Sequence, residues 1–242
     1  MDIVKKHLSN GQYLTAEFEK FSQFLHHTES TTAMSAWRWW NSTPARVGTP
    51  QMIERDGVIM ECFDPKMWAY HLGITGDDNW NEKHSVNIEL VSAGHLHYEE
   101  KEFRFYPLWP NKTRYTVIPE EEVYIFSKPW RGQKYFHNYT EDQLESLKWL
   151  IGRNALDFPT IEISNDIESI FEYNPKVIKD HLPGLWAHCT VRENKDDVFP
   201  YPPLIEALKD VQSELLGVRK AKIIKEVKVK APKPSKTGTS KP

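Results

Sequence analysis

Apolar positions that recur at strand or helix spacing divide the chain into short elements. Phe21 and Phe24 lead an apolar run into the adjacent His26 and His27, where a strand edge meets a loop. Ser30-Thr31-Thr32 supplies capping hydroxyls, and Ala33, Ala36, Trp37 and Trp40 recur at helical spacing, which predicts a helix of about ten residues ending before Pro44. Between Met52 and Met60 an Asp56-Gly57 pair separates two apolar runs. That is a hairpin, because glycine supplies the positive φ of a tight turn. From Ser85 to Val91 the alternation is strict, with Val86, Ile88 and Leu90 on one face and Glu89 on the other. Such a strand leaves Glu89 pointing away from the core.

The pattern loosens between His95 and Tyr139, an aromatic and Pro-rich stretch (Phe103, Phe105, Tyr106, Trp109, Tyr115, Trp130) expected to be largely irregular, with Val123–Phe126 as one strand. Such an insert suits the wall of a groove. Thr140-Glu141-Asp142-Gln143 is a capping box, and Leu144, Leu147, Leu150 and Ile151 form the stripe of the helix it opens. Residues 154–184 mix a β-like piece, Thr160–Ile163, with possible helical turns. Leu185 to Thr190 then carries a second apolar run into a histidine, His188, before a polar loop with Lys195-Asp196-Asp197. A last amphipathic helix spans Pro202 to Leu216. Met1–Lys20 reads as a polar lead-in, and no internal repeat is found.

Charge changes this picture at one end. The net charge is −3, but nine Lys/Arg against one Glu from Arg219 to Pro242 give that segment +8 and leave −11 for the preceding body. A basic Lys/Pro-rich tail over 219–242 is expected to be disordered and to bind anionic polymers weakly. The two cysteines, Cys62 and Cys189, are too few for a disulfide framework, so free thiols are expected. The N-terminus shows no signal-peptide h-region, and no window approaches membrane-spanning length, which predicts synthesis in the cytoplasm. Nine tryptophans suit a groove for sugar rings or peptide.

Two histidines at strand ends and a carboxylate from a following loop make a catalytic zinc site, in which three protein ligands leave the fourth position for water. His26, His188 and Asp197 form such a set. Glu89 beside a metal is a candidate general base.

These residues resemble the zinc-dependent N-acetylmuramoyl-L-alanine amidases of the type-2 amidase and peptidoglycan-recognition fold, including phage lysins. The resemblance rests on His26-His27-Thr28, Glu54-Arg55-Asp56-Gly57, Ala69-Tyr70-His71-Leu72-Gly73, His84 to Val91, Thr140 to Leu147, and Ala187-His188 with Lys195-x-Asp197, in the family's order over about Phe21 to Leu208. It implies that His26, His188 and Asp197 hold Zn2+, and that Lys195 stabilises the oxyanion. Asp196 is the alternative third ligand, and Asp197 is preferred because it keeps the Lys-x-Asp spacing. The chain departs from many members in having Thr49 where a tyrosine faces the site. Other members place a glutamate on the central strand instead, which assigns the general base to Glu89. Cys189 is left out of the ligand set.

The expected fold is α/β, a central mixed sheet flanked by helices, with a catalytic domain over 1–218 (core about 21–208) followed by the tail. His71, Trp68 and His27 are expected to line the substrate groove. The implied reaction is hydrolysis of the amide between N-acetylmuramic acid and L-alanine in peptidoglycan or muropeptides. A non-catalytic peptidoglycan-binding module and a zinc peptidase cutting within the stem peptide are the alternatives. A monomer is expected, with no nucleic-acid partner, acting on the cell wall if it is a phage lysin.

Overall fold

The computed structural model describes residues 1–100, 104–107 and 116–230, with side chains up to Val218. In chain order the elements are β1 (Ile3–Lys5), β2 (Ser22–His27), α1 (Ala33–Trp40), β3 (Gln51–Ile53), β4 (Ile59–Glu61), α2 (Trp80–Lys83), β5 (Ser85–Leu90), β6 (His95–Glu99), β7 (Arg104–Pro107), β8 (Val123–Trp130), β9 (Gln133–His137), α3 (Glu141–Asp157), α4 (Lys176–Lys179), β10 (Gly184–Ala187), α5 (His188–Val191) and α6 (Pro202–Lys230). They build a mixed six-stranded sheet, ordered β1-β4-β3-β5-β2-β10, and a four-stranded sheet, ordered β7-β6-β9-β8. In the first, β3 and β4 form the antiparallel hairpin, whereas β3, β5, β2 and β10 run parallel to one another.

Both faces of the large sheet are covered. Val86, Ile88, Leu90, Leu25 and Ile53 pack against the α3 stripe (Leu144, Leu147, Leu150, Ile151) and α6 (Leu204, Leu208, Val211). On the opposite face Met52 packs with Ala33, Ala36 and Trp40 of α1 and with Cys62, Phe63 and Ala69. Glu89 shares this second face and is buried, not solvated. The alternation of β5 separates its two faces, but what covers the second is not written in it.

Local chemistry explains the helix starts. Thr32 Oγ1 accepts from Ser35 N at the start of α1, and Thr140 with Gln143 completes the capping box of α3. Gln143 has a further use, since its Nε2 donates to the carbonyls of Ile53 and Val91. Three turns later, Asn154 donates Nδ2 to both Gln23 Oε1 (3.0 Å) and Gln51 Oε1 (2.9 Å), tying β2 and β3 to α3 through a buried amide cluster. Satisfied polar groups of this kind fix register, because slipping the helix would orphan several of them at once.

Several elements differ from the sequence reading. The insert after β5 is an antiparallel sheet whose core is Ala93, Leu96, Phe105 and Ile118, not irregular chain. β7 has only four residues and ends in Pro107, and β8 is broken by Lys128 and Pro129, which hides their alternation. Phe103, Trp109 and Tyr115 lie outside the described residues. Thr160–Ile163 forms no strand, although Ile161 and Ile163 are buried. Ile3–Lys5 adds a parallel edge strand beside β4. The last helix continues past Leu216 to Lys230, through residues with no Pro or Gly after Gly217. The remainder of the basic segment, 231–242, lies outside the described residues. No helix among the described residues is long and apolar enough to cross a membrane.

Lys20 is fully buried, its Nζ donating to Lys83 O (2.7 Å) and Met67 O (3.1 Å). Burial lowers its pKa from 10.5 to about 7, against the opposing pull of Asp64. The unfolded chain therefore binds more protons than the folded one between these values, so this group makes stability rise with pH there. Relative to Lys20→Met, the wild type should gain about 1–2 kcal/mol between pH 7 and 8.5 in urea denaturation. Parallel pH profiles of the two proteins would refute this.

Candidate metal centre and active site

Parallel pairing sets the site. His26 on β2 stands beside Glu89 on β5, and Ala187 of β10 pairs with Leu25, so His188 lies one residue beyond the strand, level with His26. These are carboxyl ends of parallel strands, where ligands of open α/β sheets bind. The loop after α5 turns back and brings Asp197 to the same point, its carbonyl accepting from Cys189 N at 2.8 Å.

Three atoms converge there: His26 Nδ1 and His188 Nδ1 are 3.1 Å apart, Asp197 Oδ2 is 3.0 Å from His188 Nδ1, and it is 3.4 Å from His26 Nδ1. All three residues are buried. Their outer partners settle which nitrogens carry protons. His188 Nε2 faces Leu72 O at 3.0 Å, and a carbonyl only accepts, so Nε2 donates. Ser85 Oγ gives its one proton to Asn81 O (2.7 Å) and must accept from His71 Nε2 (3.3 Å). His71 Nδ1 is then an acceptor, and His26 Nε2 donates to it at 3.2 Å. Both Nδ1 atoms thus turn lone pairs inward.

Two lone pairs and a carboxylate packed this closely repel one another unless a cation lies among them. Their separations also match the roughly 3.3 Å edges of a tetrahedron with metal–ligand bonds of about 2.0–2.1 Å. The residues present therefore fit a divalent metal, and Asp197 Oδ1, buried without a hydrogen-bond partner, is a further oxygen at the site. Burial lowers the pKa of His26 to about 4, outweighing the nearby charge of Asp197, which keeps the imidazole neutral as a ligand must be.

Glu89 lies on the same face as His26. Burial raises its carboxyl well above the ordinary range, the Asp197 charge adds to this, and Lys195 opposes it. Its Oε2 is buried without a hydrogen-bond partner. The rim is formed by the half-exposed Lys195 and Glu29, whose Nζ and Oε1 are 3.7 Å apart.

The three expected groove residues are all buried. His71 stands behind His26 as its hydrogen-bond partner. His27 alternates to the other face of β2, where its Nδ1 is 3.2 Å from Tyr139 Oη; its Nε2 abuts Gly94 so closely that a Cβ there would be 2.7 Å away. Trp68 sits edge-on to Tyr70 and Phe18. Asp196 turns away from the cluster, its Oδ2 2.6 Å from His95 Nδ1. Thr49 is buried and donates to Gln51 O, and Cys189 Sγ points at backbone carbonyls of Val198 and Ile170. Sequence reasoning missed Ser85, whose only signal was its place four residues before Glu89 on the same strand face.

Replacing His71 by Phe removes the acceptor for His26 Nε2. Affinity for zinc(II), read by chelator competition, should fall about 10- to 100-fold with the metal-free melting temperature little changed. Unchanged affinity would show that the His26 tautomer is not set from behind.

Residues 23–198 match the sequence family described as N-acetylmuramoyl-L-alanine amidase. No curated protein matches the sequence. Similar solved structures include the catalytic domain of XlyA, 10% identical over 88% of this chain and 99% of that one with a TM-score of 0.49. Another is the N-acetylmuramoyl-L-alanine amidase LysC from Clostridium intestinale URNW, 12% identical over 89% and 97% of the two chains, TM-score 0.46. A third is the hydrolase AmiA of Staphylococcus aureus, 10% identical over 90% and 86%, TM-score 0.49. The family match covers most of the sequence and includes both histidines, Glu89 and Asp197 of the site, and on it the chain belongs to the N-acetylmuramoyl-L-alanine amidase family.

Proposed function

We propose that the protein is a zinc-dependent amidase that hydrolyses the bond between N-acetylmuramic acid and L-alanine in peptidoglycan, in the manner of a phage lysin. The observation that carries this reading is the convergence of His26 Nδ1, His188 Nδ1 and Asp197 Oδ2 beside the buried Glu89, in a chain of this family. His26, His188 and Asp197 would hold the ion. When bound, zinc supplies Lewis acidity that polarises the scissile carbonyl and makes water acidic enough to ionise near neutral pH.

The chain's own groups do the rest. Glu89 takes the proton of the attacking water at its free carboxylate oxygen and returns it to the departing amine of L-alanine. A nearby cation lowers the pKa that burial has raised, so the same carboxyl is a base before attack and an acid after it. Lys195, on the rim, turns its ammonium from Glu29 to the oxyanion that develops on the carbonyl. The covered walls around the three acceptors keep bulk water from screening these charges.

Glu89→Gln is isosteric and should keep zinc while turnover falls about 10²- to 10⁴-fold. Mass spectrometry of digested peptidoglycan reads the reaction directly: stem peptides with a free L-alanine amine should appear with zinc and vanish on chelation. New termini inside the stem would replace this reading with a peptidase, and binding to the wall without products would replace it with a recognition module. Full activity in Glu89→Gln would remove Glu89 as the base.

We also propose that the catalytic unit comprises residues 1–218 and that the basic segment beyond it holds the enzyme to anionic wall polymers. Deleting 219–242 should weaken binding to intact walls chiefly at low salt, and spare turnover of small soluble muropeptides. Equal loss on both substrates would overturn that division.

A further inference from the structure

Among the described residues the four-stranded sheet gives no side chain to the acceptor cluster, yet it grips the loop that carries Asp197 through polar contacts from His95 and Arg131, besides packing Tyr124, Phe126 and Phe136 on Phe199. His95, the first residue of β6, brings Nδ1 to 2.6 Å from Asp196 Oδ2, with both side chains largely covered. Arg131, at the turn of the β8–β9 hairpin, donates Nη1 to Glu193 O at 2.7 Å and Nη2 to Cys189 O at 2.9 Å. One contact falls on the residue next to Asp197, and the others fall on both sides of the bend that follows His188.

The loop has little structure of its own to fix Asp197. Residues 192–198 form neither helix nor strand, and their internal backbone bonds are Lys195 N to Arg192 O at 3.1 Å and the closing bond from Cys189 N to Asp197 O. A carboxylate ligand must nevertheless meet two imidazoles held rigidly by the large sheet. Asp196 and Asp197 are consecutive, so drawing one side chain toward β6 limits where the other can aim.

We propose that the four-stranded sheet is a brace for the metal-ligand loop, with His95 and Arg131 as positioning residues that hold Asp197, and Lys195 with it, at the site. This rests on the metal reading of the previous section. The sheet's link to chemistry then runs through the ligand loop, in addition to any groove wall it forms.

The test is zinc affinity, by competition with a chromophoric chelator, together with the melting temperature of the metal-free protein. The set is wild type, His95→Ala, His95→Asn, Asp196→Ala and the double variant His95→Ala/Asp196→Ala. Expected for His95→Ala is a loss of about 10- to 100-fold in affinity with the metal-free melting temperature within a few degrees of wild type. His95→Asn, whose Nδ2 can stand where His95 Nδ1 stands, should recover most of the affinity. The double variant should be no weaker than either single one, because both remove the same contact. Affinity of His95→Ala within twofold of wild type would overturn the brace, as would equal losses in the Ala and Asn variants accompanied by a collapsed melting temperature. If His95→Ala does not fold, Asp196→Ala makes the same comparison from the loop side. Failure of the wild type itself to bind zinc would overturn the metal reading, and that outcome is visible without any variant.

Discussion

Three buried acceptor atoms between 3.0 and 3.4 Å from one another are the constraint on which the rest of the molecule depends. Such a cluster is unfavourable by itself, so the protein must hold it together from outside. Leu72 O fixes the proton of one imidazole, and a chain from Asn81 through Ser85 and His71 fixes that of the other. Neither device touches the point where the lone pairs meet. Both work by giving the far nitrogen a partner that leaves it no alternative.

Two pairs of adjacent, chemically identical residues show how the backbone divides labour here. His26 and His27 are consecutive on a strand, so one faces the cluster and the other faces Tyr139 on the opposite side. Asp196 and Asp197 are consecutive in a loop, where alternation is not guaranteed, and separate partners accomplish the split: His95 for the first and the two imidazoles for the second. A strand gives this separation through its pleat, whereas the loop needs a contact from another sheet to obtain it.

The legibility of the sequence follows the same physics. The capping box at Thr140, the Asp56-Gly57 turn and the alternation of β5 are local signals, and each element formed where its signal stood. Burial of Glu89 and the place of His71 depend on what covers a face, and no local pattern carries that information. His71 reads as a groove residue because aromatics precede it and a Gly-rich loop follows. In the fold its ring is buried between Phe24, Ser85 and His26. The amide cluster of Gln23, Gln51 and Asn154 was equally hidden, since each looks like a surface residue until the three are brought together. The small sheet was missed because its strands pair with one another at modest length and carry Pro and charge in the places where alternation would be read.

His26 and His188 lie 162 positions apart along the chain, and Asp197 follows nine residues after His188. β2 has β10 as its outer parallel neighbour, a strand that is made long after it. A nascent chain shorter than 197 residues lacks one corner of the cluster whatever else it has built. The first histidine therefore waits for both of its partners while all of the intervening chain is made, and the cluster closes only when these distant parts of the fold have found each other.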